Sequence, residues 1–314
     1  MGTDEKIPLI VVCGPTASGK TRAAIELALL YGGEVVCADS MQIYSELCIC
    51  TARPTADEMK GVPHHLTGFV PPDKAYNVAQ YVQDAAACIA DIRSRGRVPV
   101  VCGGTGLYID SLVNGISFDT ANSDENLRKE LEQRLANGDD LYRELMEKDA
   151  EAAARIHPNN VKRVIRFLEI VTLTGKSIAE NERLSRSCES PYTAVKIGLT
   201  CFDRELLYDR INRRVDDMLA AGMVDEVRRV YERYSTHTAF HAIGYKELIP
   251  YIRGECELEE AVDLIKQSSR KYAKRQLTWF RRDDKIEWVD TSDYGDIDGI
   301  ISKSKNIVEK SKIL

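Results

Sequence analysis

The chain has 314 residues, 44% hydrophobic and 29% charged, which is enough apolar content for one large core or two modest ones and too much for intrinsic disorder. Forty-three Lys and Arg against 49 Asp and Glu give a formal charge of −6, so the mean composition offers no sign of a nucleic-acid partner. No run of about 18 apolar residues would span a membrane, and residues 1–6 lead into an apolar strand pattern without a secretory hydrophobic region. A cytoplasmic protein with no membrane partner is therefore expected.

The first third alternates β-branched runs with amphipathic segments, the rhythm of parallel βαβ units. Ile7–Cys13 reads as a buried strand, and residues 20–30 as a helix with Ala24, Leu27 and Ala28 on one face. A second strand follows at 34–38. Residues 77–94 are predicted helical because Val78, Tyr81, Val82, Ala85, Ile89 and Ile92 recur at the spacing of one helix face, and 98–102 is a third strand. From about 119 to 191 only helices are expected, marked by Leu127, Leu131 and Leu135, by Leu141 and Leu145, and by Val161, Ile165, Leu168 and Val171 before Gly175. A β run at 194–201 then returns, so the helical stretch reads as an insertion. Helices are predicted at 205–221, 224–234 and 258–282, and the last dozen residues, rich in Lys and Ser, are expected to fray.

The expected fold is α/β: a P-loop parallel sheet flanked by helices, with an inserted all-helical subdomain and a helical C-terminal region. The expected division is a core at 1–118, the insertion at 119–191, the return strand and helical remainder at 192–290, and a tail at 291–314. Nine cysteines, an odd number and several within apolar runs, read as free thiols. Cys48-x-Cys50 and His237-x3-His241 are each half of a metal pattern, but no second Cys pair stands at zinc spacing, and no structural metal is expected.

The strongest local signal is Gly14-Pro15-Thr16-Ala17-Ser18-Gly19-Lys20-Thr21, a complete G-x4-G-K-[ST] loop between a predicted strand and a predicted helix. Such a loop wraps backbone N–H groups around phosphate oxygens, the helix N-terminus adds positive potential, Lys20 adds a charge, and Thr21 offers a hydroxyl to Mg²⁺. The third strand ends in Gly103-Gly104-Thr105-Gly106 with no carboxylate. The second leads into Asp39-Ser40, which makes Asp39 the acid beside the phosphates, as a magnesium ligand or as a general base.

In combination the motifs resemble the tRNA dimethylallyltransferases of bacterial type, also called the IPP transferase family. The resemblance is carried by residues 14–21, Asp39-Ser40-Met41-Gln42-Ile43-Tyr44, Thr51-Ala52-Arg53-Pro54, Pro63-His64-His65-Leu66 and Gly103-Gly104-Thr105-Gly106-Leu107-Tyr108. It continues through His157-Pro158-Asn159-Asn160 with Arg163 and Arg166, Ile211-Asn212 with Arg214-Val215-Asp216 and Met218, Ile243-Gly244-Tyr245-Lys246-Glu247, and the segment from Tyr272 to Phe280. Arg53 stands where the family more often has Lys, Leu66-Thr67-Gly68 replaces Leu-Ile-Asp, and the Cys/His extension of many eukaryotic relatives does not follow Trp288.

The resemblance implies transfer of a dimethylallyl group from dimethylallyl diphosphate to the N6 amine of an adenosine beside the anticodon, with loss of diphosphate. It implies Gly14, Thr16, Ala17, Ser18, Gly19, Lys20 and Thr21 as the diphosphate cradle, Thr21 as the Mg²⁺ ligand, and Asp39, Thr105, Lys20 and Arg214 as catalytic groups. The expected tRNA contacts are Asp39, Ser40, Met41, Gln42 and Thr105 at the base, with Arg128, Lys162, Arg163, Arg166, Lys274, Arg275 and Gln276 around it. Two basic stretches agree with an RNA partner: residues 155–186 carry seven basic against three acidic residues, and 266–285 carry eight against two. In the second, Lys266, Arg270 and Lys274 form a stripe, while Trp279 falls in register with Ile265 and Tyr272 and reads as core. Prenyl transfer to free adenine nucleotide and a P-loop phosphotransferase are the competing readings. The partners are then a tRNA anticodon stem-loop and dimethylallyl diphosphate, and a monomer is the default expectation.

Overall fold

The computed structural model of the chain describes residues 6–118, 123–234, 238–294 and 296–314. The chain forms two compact units, Met1–Val113 with Pro191–Leu314, and Asn114–Ser190. The first unit opens with β1 (Ile7–Cys13), α1 (Lys20–Tyr31), β2 (Gly33–Cys37), α2 (Ala56–Met59), β3 (His64–His65), α3 (Val78–Ser94), β4 (Val98–Gly103) and α4 (Gly106–Val113). The second unit holds α5 (Glu125–Ala136), α6 (Leu141–Lys148), α7 (Ala150–Ala154), α8 (Val161–Thr174) and α9 (Ile178–Ser185). The first then resumes with β5 (Tyr192–Thr200), α10 (Arg204–Ala220), α11 (Met223–Arg233), α12 (Tyr245–Ile252), α13 (Leu258–Phe280), β6 (Ile286–Asp290) and α14 (Ile297–Ser311).

The sheet is parallel throughout, in the order β3-β2-β4-β1-β5-β6. Its central strands are apolar at nearly every position because both faces are covered. Along β1, Leu9, Val11 and Cys13 join one core cluster with α3, α4 and Phe280, while Ile10 and Val12 join another with α1 and α14. A third cluster packs α11, α12 and α13 against Ile43, Tyr44 and Leu47 of the loop that follows β2.

The C-terminal residues do not fray as their Lys and Ser content suggests. They form α14, because Ile300, Ser304 and Val308 recur every four residues and pack on the sheet at 8%, 0% and 2% exposure while the lysines face outward. The strand β6 also went unread: only Ile286 and Val289 of its five residues are buried, a pattern too short to stand out. Met1 to Glu5 and His237 of the half metal pattern lie outside the described residues.

The second unit has its own apolar core of Leu131, Leu141, Leu145, Ile156, Ile165 and Leu168. Two buried acids tie it together. Asp149 accepts from Ala152 N at 3.0 Å and from Ile178 N at 2.7 Å, capping α7 and the entry to α9 at once. Glu169, with no exposed surface, accepts from Arg128 Nη2 at 3.0 and 3.1 Å, Arg166 Nη1 at 2.7 Å and Asp124 N at 2.9 Å. Burial raises its pKa, but the two guanidiniums and the N–H outweigh burial and hold the carboxyl below its ordinary value.

Candidate active site

The carboxyl ends of β1, β2 and β4 bring three loops together: residues 14–19, the turn beginning at Asp39, and Gly104-Thr105. Ligands of open parallel sheets bind at this edge. Beside it lies a cavity of about 240 Å³ whose lining includes Thr16, Lys20, Thr21, Asp39, Arg214 and Gln276. The first turn of α1 opens from Gly19 with no side-chain cap, leaving its backbone donors to a ligand. Ser18, 2% exposed, has a buried Oγ with no hydrogen-bond partner among the described residues. A phosphate oxygen over the loop would satisfy it.

The electrostatics are those of an anion site. Lys20 Nζ folds back to donate to Pro15 O at 3.1 Å. Burial, and then the Arg214 charge, push the Lys20 ammonium below its ordinary pKa. Burial likewise depresses Arg214, with Asp39 acting the other way. Two buried cations, each depressed by burial and Lys20 further by the Arg214 charge, favour entry of a dianion.

Asp39 is held in one orientation. Its Oδ1 accepts from Met41 N at 2.9 Å and Gln42 N at 3.3 Å, an Asx-type turn. Among the described residues no donor reaches Oδ2. Thr105 does not line the cavity: its Oγ1 accepts from Ser40 N at 3.0 Å and lies 3.3 Å from Ser40 Oγ, and its own N–H donates to Ala38 O at 3.1 Å. It therefore positions the residue next to Asp39.

Glutamines brace both sides. Gln276, 5% exposed on α13, accepts from Thr16 N at 2.9 Å and donates to Gly104 O at 2.9 Å. A Cβ at Gly104 would stand 2.2 Å from Gln276 Nε2, so glycine is required for that approach. Gln42 donates to Thr51 O at 3.1 Å and Ala52 O at 3.2 Å and accepts from Cys37 Sγ at 3.4 Å. Both amides, expected among the tRNA contacts, have both ends engaged within the fold.

Glu226 was missed by sequence. It is 2% exposed, and its carboxylate accepts from the backbone N–H groups of Cys48, Ile49 and Cys50 at 2.9, 2.7 and 3.0 Å, pinning the loop that brings Cys50 and Thr51 to the cavity. The available signal was an acid on the apolar face of α11, in step with Met223, Val227 and Val230. Arg53 serves the same loop, donating to Tyr44 O at 3.4 Å, Ser45 O at 3.3 Å and Cys48 Sγ, a spread of donors suited to a guanidinium. His65 Nε2 lies 2.7 Å from Glu34 Oε2. His64 contacts Val62 O through Nδ1 at 2.9 Å, and burial pushes its imidazole below the ordinary pKa.

The basic residues divide into those exposed and those engaged in hydrogen bonds and ion pairs, with Arg163 and Arg275 among the exposed ones lying over the rings of Phe167 and Tyr272. Lys162, Arg163, Lys274 and Arg275 are exposed, and Arg275 also reaches the cavity lining. Arg128 and Arg166 are the clamp on Glu169. The stripe on α13 is not a free face: Lys266 pairs with Asp216 at 2.6 Å and Arg270 donates to Asn212 Oδ1 at 2.7 Å, so two of its three members stitch α13 to α10. Arg210 is bound to Thr291 Oγ1 at 2.8 Å. Trp279 is not core: it is 36% exposed, its indole lies over Gly106, and Nε1 donates to Asp110 Oδ2 at 2.6 Å.

The sequence pattern described as IPP transferase matches residues 42–283, and that described as isopentenyl transferase matches residues 7–65. A tRNA dimethylallyltransferase of Halalkalibacterium halodurans is 44% identical over 315 residues, covering 98% of this chain and 100% of its own. The crystal structure of the full-length tRNA isopentenylpyrophosphate transferase from Bacillus halodurans superimposes with a TM-score of 0.74 at 43% identity, covering 98% and 96% of the two chains. A eukaryotic dimethylallyltransferase acting on tRNA superimposes with a TM-score of 0.83 at 29% identity, over 97% and 80%.

Proposed function

The chain belongs to the IPP transferase family of tRNA dimethylallyltransferases, and from that membership we propose how its cavity carries out the reaction. The protein is an enzyme that transfers a dimethylallyl group to an adenosine near the anticodon of tRNA. The N6 amine attacks C1 of dimethylallyl diphosphate, the C1–O bond breaks, diphosphate leaves, and the amine proton passes to Asp39.

The observation that carries this assignment is the placement of two buried cations, Lys20 and Arg214, in one cavity lining with the Asp39 carboxylate. The N-terminal N–H groups of α1, Ser18 Oγ and the two cations bind the diphosphate and take up the charge that grows on it as the bond to carbon stretches. Asp39 Oδ2, opposite the oxygen fixed by Met41 and Gln42, accepts the proton. Thr105 acts through Ser40 to keep that carboxylate in line.

Thr21 Oγ1 stands in the cavity wall and is a hard oxygen donor of the kind Mg²⁺ takes with phosphate and water. Bound there, Mg²⁺ would neutralise part of the leaving group's charge. Lys162, Arg163, Lys274 and Arg275 are the exposed cations for tRNA phosphates. The described helices include none long and apolar enough to cross a membrane.

Labelled dimethylallyl diphosphate offered with unmodified tRNA, with AMP or with neither tests the reading. Label is expected in tRNA alone; label confined to AMP, or ATP hydrolysis without prenyl transfer, would overturn it.

A further inference from the structure

The apolar end of the cavity is shaped by residues that the reaction so far leaves unused. α10 crosses the cavity with Ile211, Arg214, Val215 and Met218 in the lining, the spacing of one helix face. Arg214 belongs to the phosphate end, and Met218 lies four residues further along, about 6 Å on the helix axis. The chain then turns at Gly222, and Met223 enters the lining although it is only 1% exposed. A Cβ on Gly244 would stand 2.2 Å from Met223 Cε and 2.3 Å from Cys50 Sγ, so the two sulfur-bearing side chains close on the same patch of backbone. The same core cluster continues with Tyr245, Leu248 and Val227, all at 0% exposure.

We propose that the wall made by Met223 and Cys50 limits the allyl donor to a single five-carbon unit. This rests on the diphosphate lying over residues 14–21. A diphosphate ester fixed there can extend its apolar tail along Val215 and Met218, which share the lining with Met223 and Cys50. A donor one isoprene unit longer must displace side chains from a packed core, which is penalised as overpacking. Because Met is unbranched and fills gaps adaptably, its truncation opens room at the end of the path.

The test compares kcat/KM for dimethylallyl and geranyl diphosphate, each with unmodified tRNA, in the wild type and in Met223→Ala, Met218→Ala and Val227→Ala. Val227 is buried one turn along α11 and absent from the lining, so it supplies a loss of core volume, smaller than that of Met→Ala, outside the cavity. The geranyl-to-dimethylallyl ratio is expected to rise at least about tenfold in Met223→Ala, the discrimination typical of a few methylenes in an apolar pocket. It rises less in Met218→Ala, which widens the side of the path, and stays at the wild-type value in Val227→Ala. An unchanged ratio in both Met variants, or an equal rise in Val227→Ala, overturns the proposal. If Met223→Ala is too unstable to assay, Met223→Val carries the same comparison. Wild-type enzyme that transfers no dimethylallyl group to tRNA would remove the reading of the site and this proposal with it; normal dimethylallyl transfer with an unaltered length profile removes this proposal alone.

Discussion

Gln276 accepts a hydrogen bond from the backbone N–H of Thr16 at 2.9 Å, joining the far end of α13 to the phosphate loop across 260 residues of sequence. With its other end on Gly104 O, the amide holds two of the three site loops in register. Gln276→Leu leaves a buried donor and a buried acceptor unpaired, and about 1–3 kcal/mol of stability is expected to go with each. Gln276→Glu keeps an acceptor for Thr16 but sets a carboxylate against the Gly104 carbonyl and adds negative charge beside the diphosphate. Its KM for dimethylallyl diphosphate should rise about tenfold or more, against a smaller change in kcat. Thermal unfolding and steady-state kinetics check both; a Gln276→Glu enzyme with unchanged KM would show that the loop does not need this brace.

Asp39→Asn keeps the acceptor for Met41 and Gln42 but cannot take the amine proton. Single-turnover transfer should slow about 10²–10⁴-fold, the usual contribution of a general base. The Kd for tRNA should hold within a factor of about three. Comparable losses in rate and in tRNA affinity would reassign Asp39 to binding.

The clamp on Glu169 makes a prediction about the second unit. Glu169→Ala leaves two guanidiniums and the Asp124 N–H without their shared acceptor, and about 3 kcal/mol of destabilisation is expected. The loss should fall on the unit Asn114–Ser190, so hydrogen exchange should speed up in α5 and α8 before the sheet. Uniform acceleration across the chain would mean the two units unfold together.

Lys162 and Arg163 are exposed, whereas Arg166 is engaged with Glu169. Lys162→Ala with Arg163→Ala should weaken tRNA binding and reduce the slope of log K against log salt by about 1–2, as expected for two lost phosphate contacts. Binding measured from low to moderate salt decides it, and an unchanged slope would place the phosphates elsewhere.

A pH prediction follows from Glu34, buried on β2. Arg95 lowers its pKa most, with Nη2 at 2.9 Å from Oε2; burial acts the other way and His65 assists, leaving the carboxyl at about 2 against an ordinary 4.5. A carboxyl whose pKa is depressed on folding stabilises the protein above the unfolded value and loses that contribution as pH falls through the folded one. Glu34→Gln should therefore flatten the acid limb of the stability curve between about pH 4.5 and 2. A limb as steep as the wild type's would assign acid sensitivity to other carboxylates.

The phosphate loop and Asp39 were legible because each is a local event, a strand running out into a turn with defined chemistry, and β1, α1, β2, α3 and β4 followed from periodicity within short windows. The frayed C-terminus was misread because Lys and Ser content masked an apolar stripe at every fourth position, whose worth depends on a sheet face far away in sequence. Trp279 was assigned to the core by register alone, and the partner that brings it to the surface, Asp110, lies 169 residues away. The stripe of Lys266, Arg270 and Lys274 was a true helical face, but its acids and amides sit on α10.

The sequence by itself determined the family and the activity, and it supplied the residues proposed for the chemistry: a diphosphate cradle, an acid beside it and cations to meet leaving charge. Local spacing suffices for that, since a loop motif and the turn after a strand are built by neighbours along the chain. Only the tertiary structure decided which polar groups are available. Gln42, Gln276, Thr105, Arg128 and Arg166 carry the right chemistry for substrate, yet their hydrogen bonds go to the fold, because a buried polar group must find a partner and long-range packing chooses which. The same packing decided that Met223, unremarkable in sequence, stands beside Cys50 in the wall of the cavity.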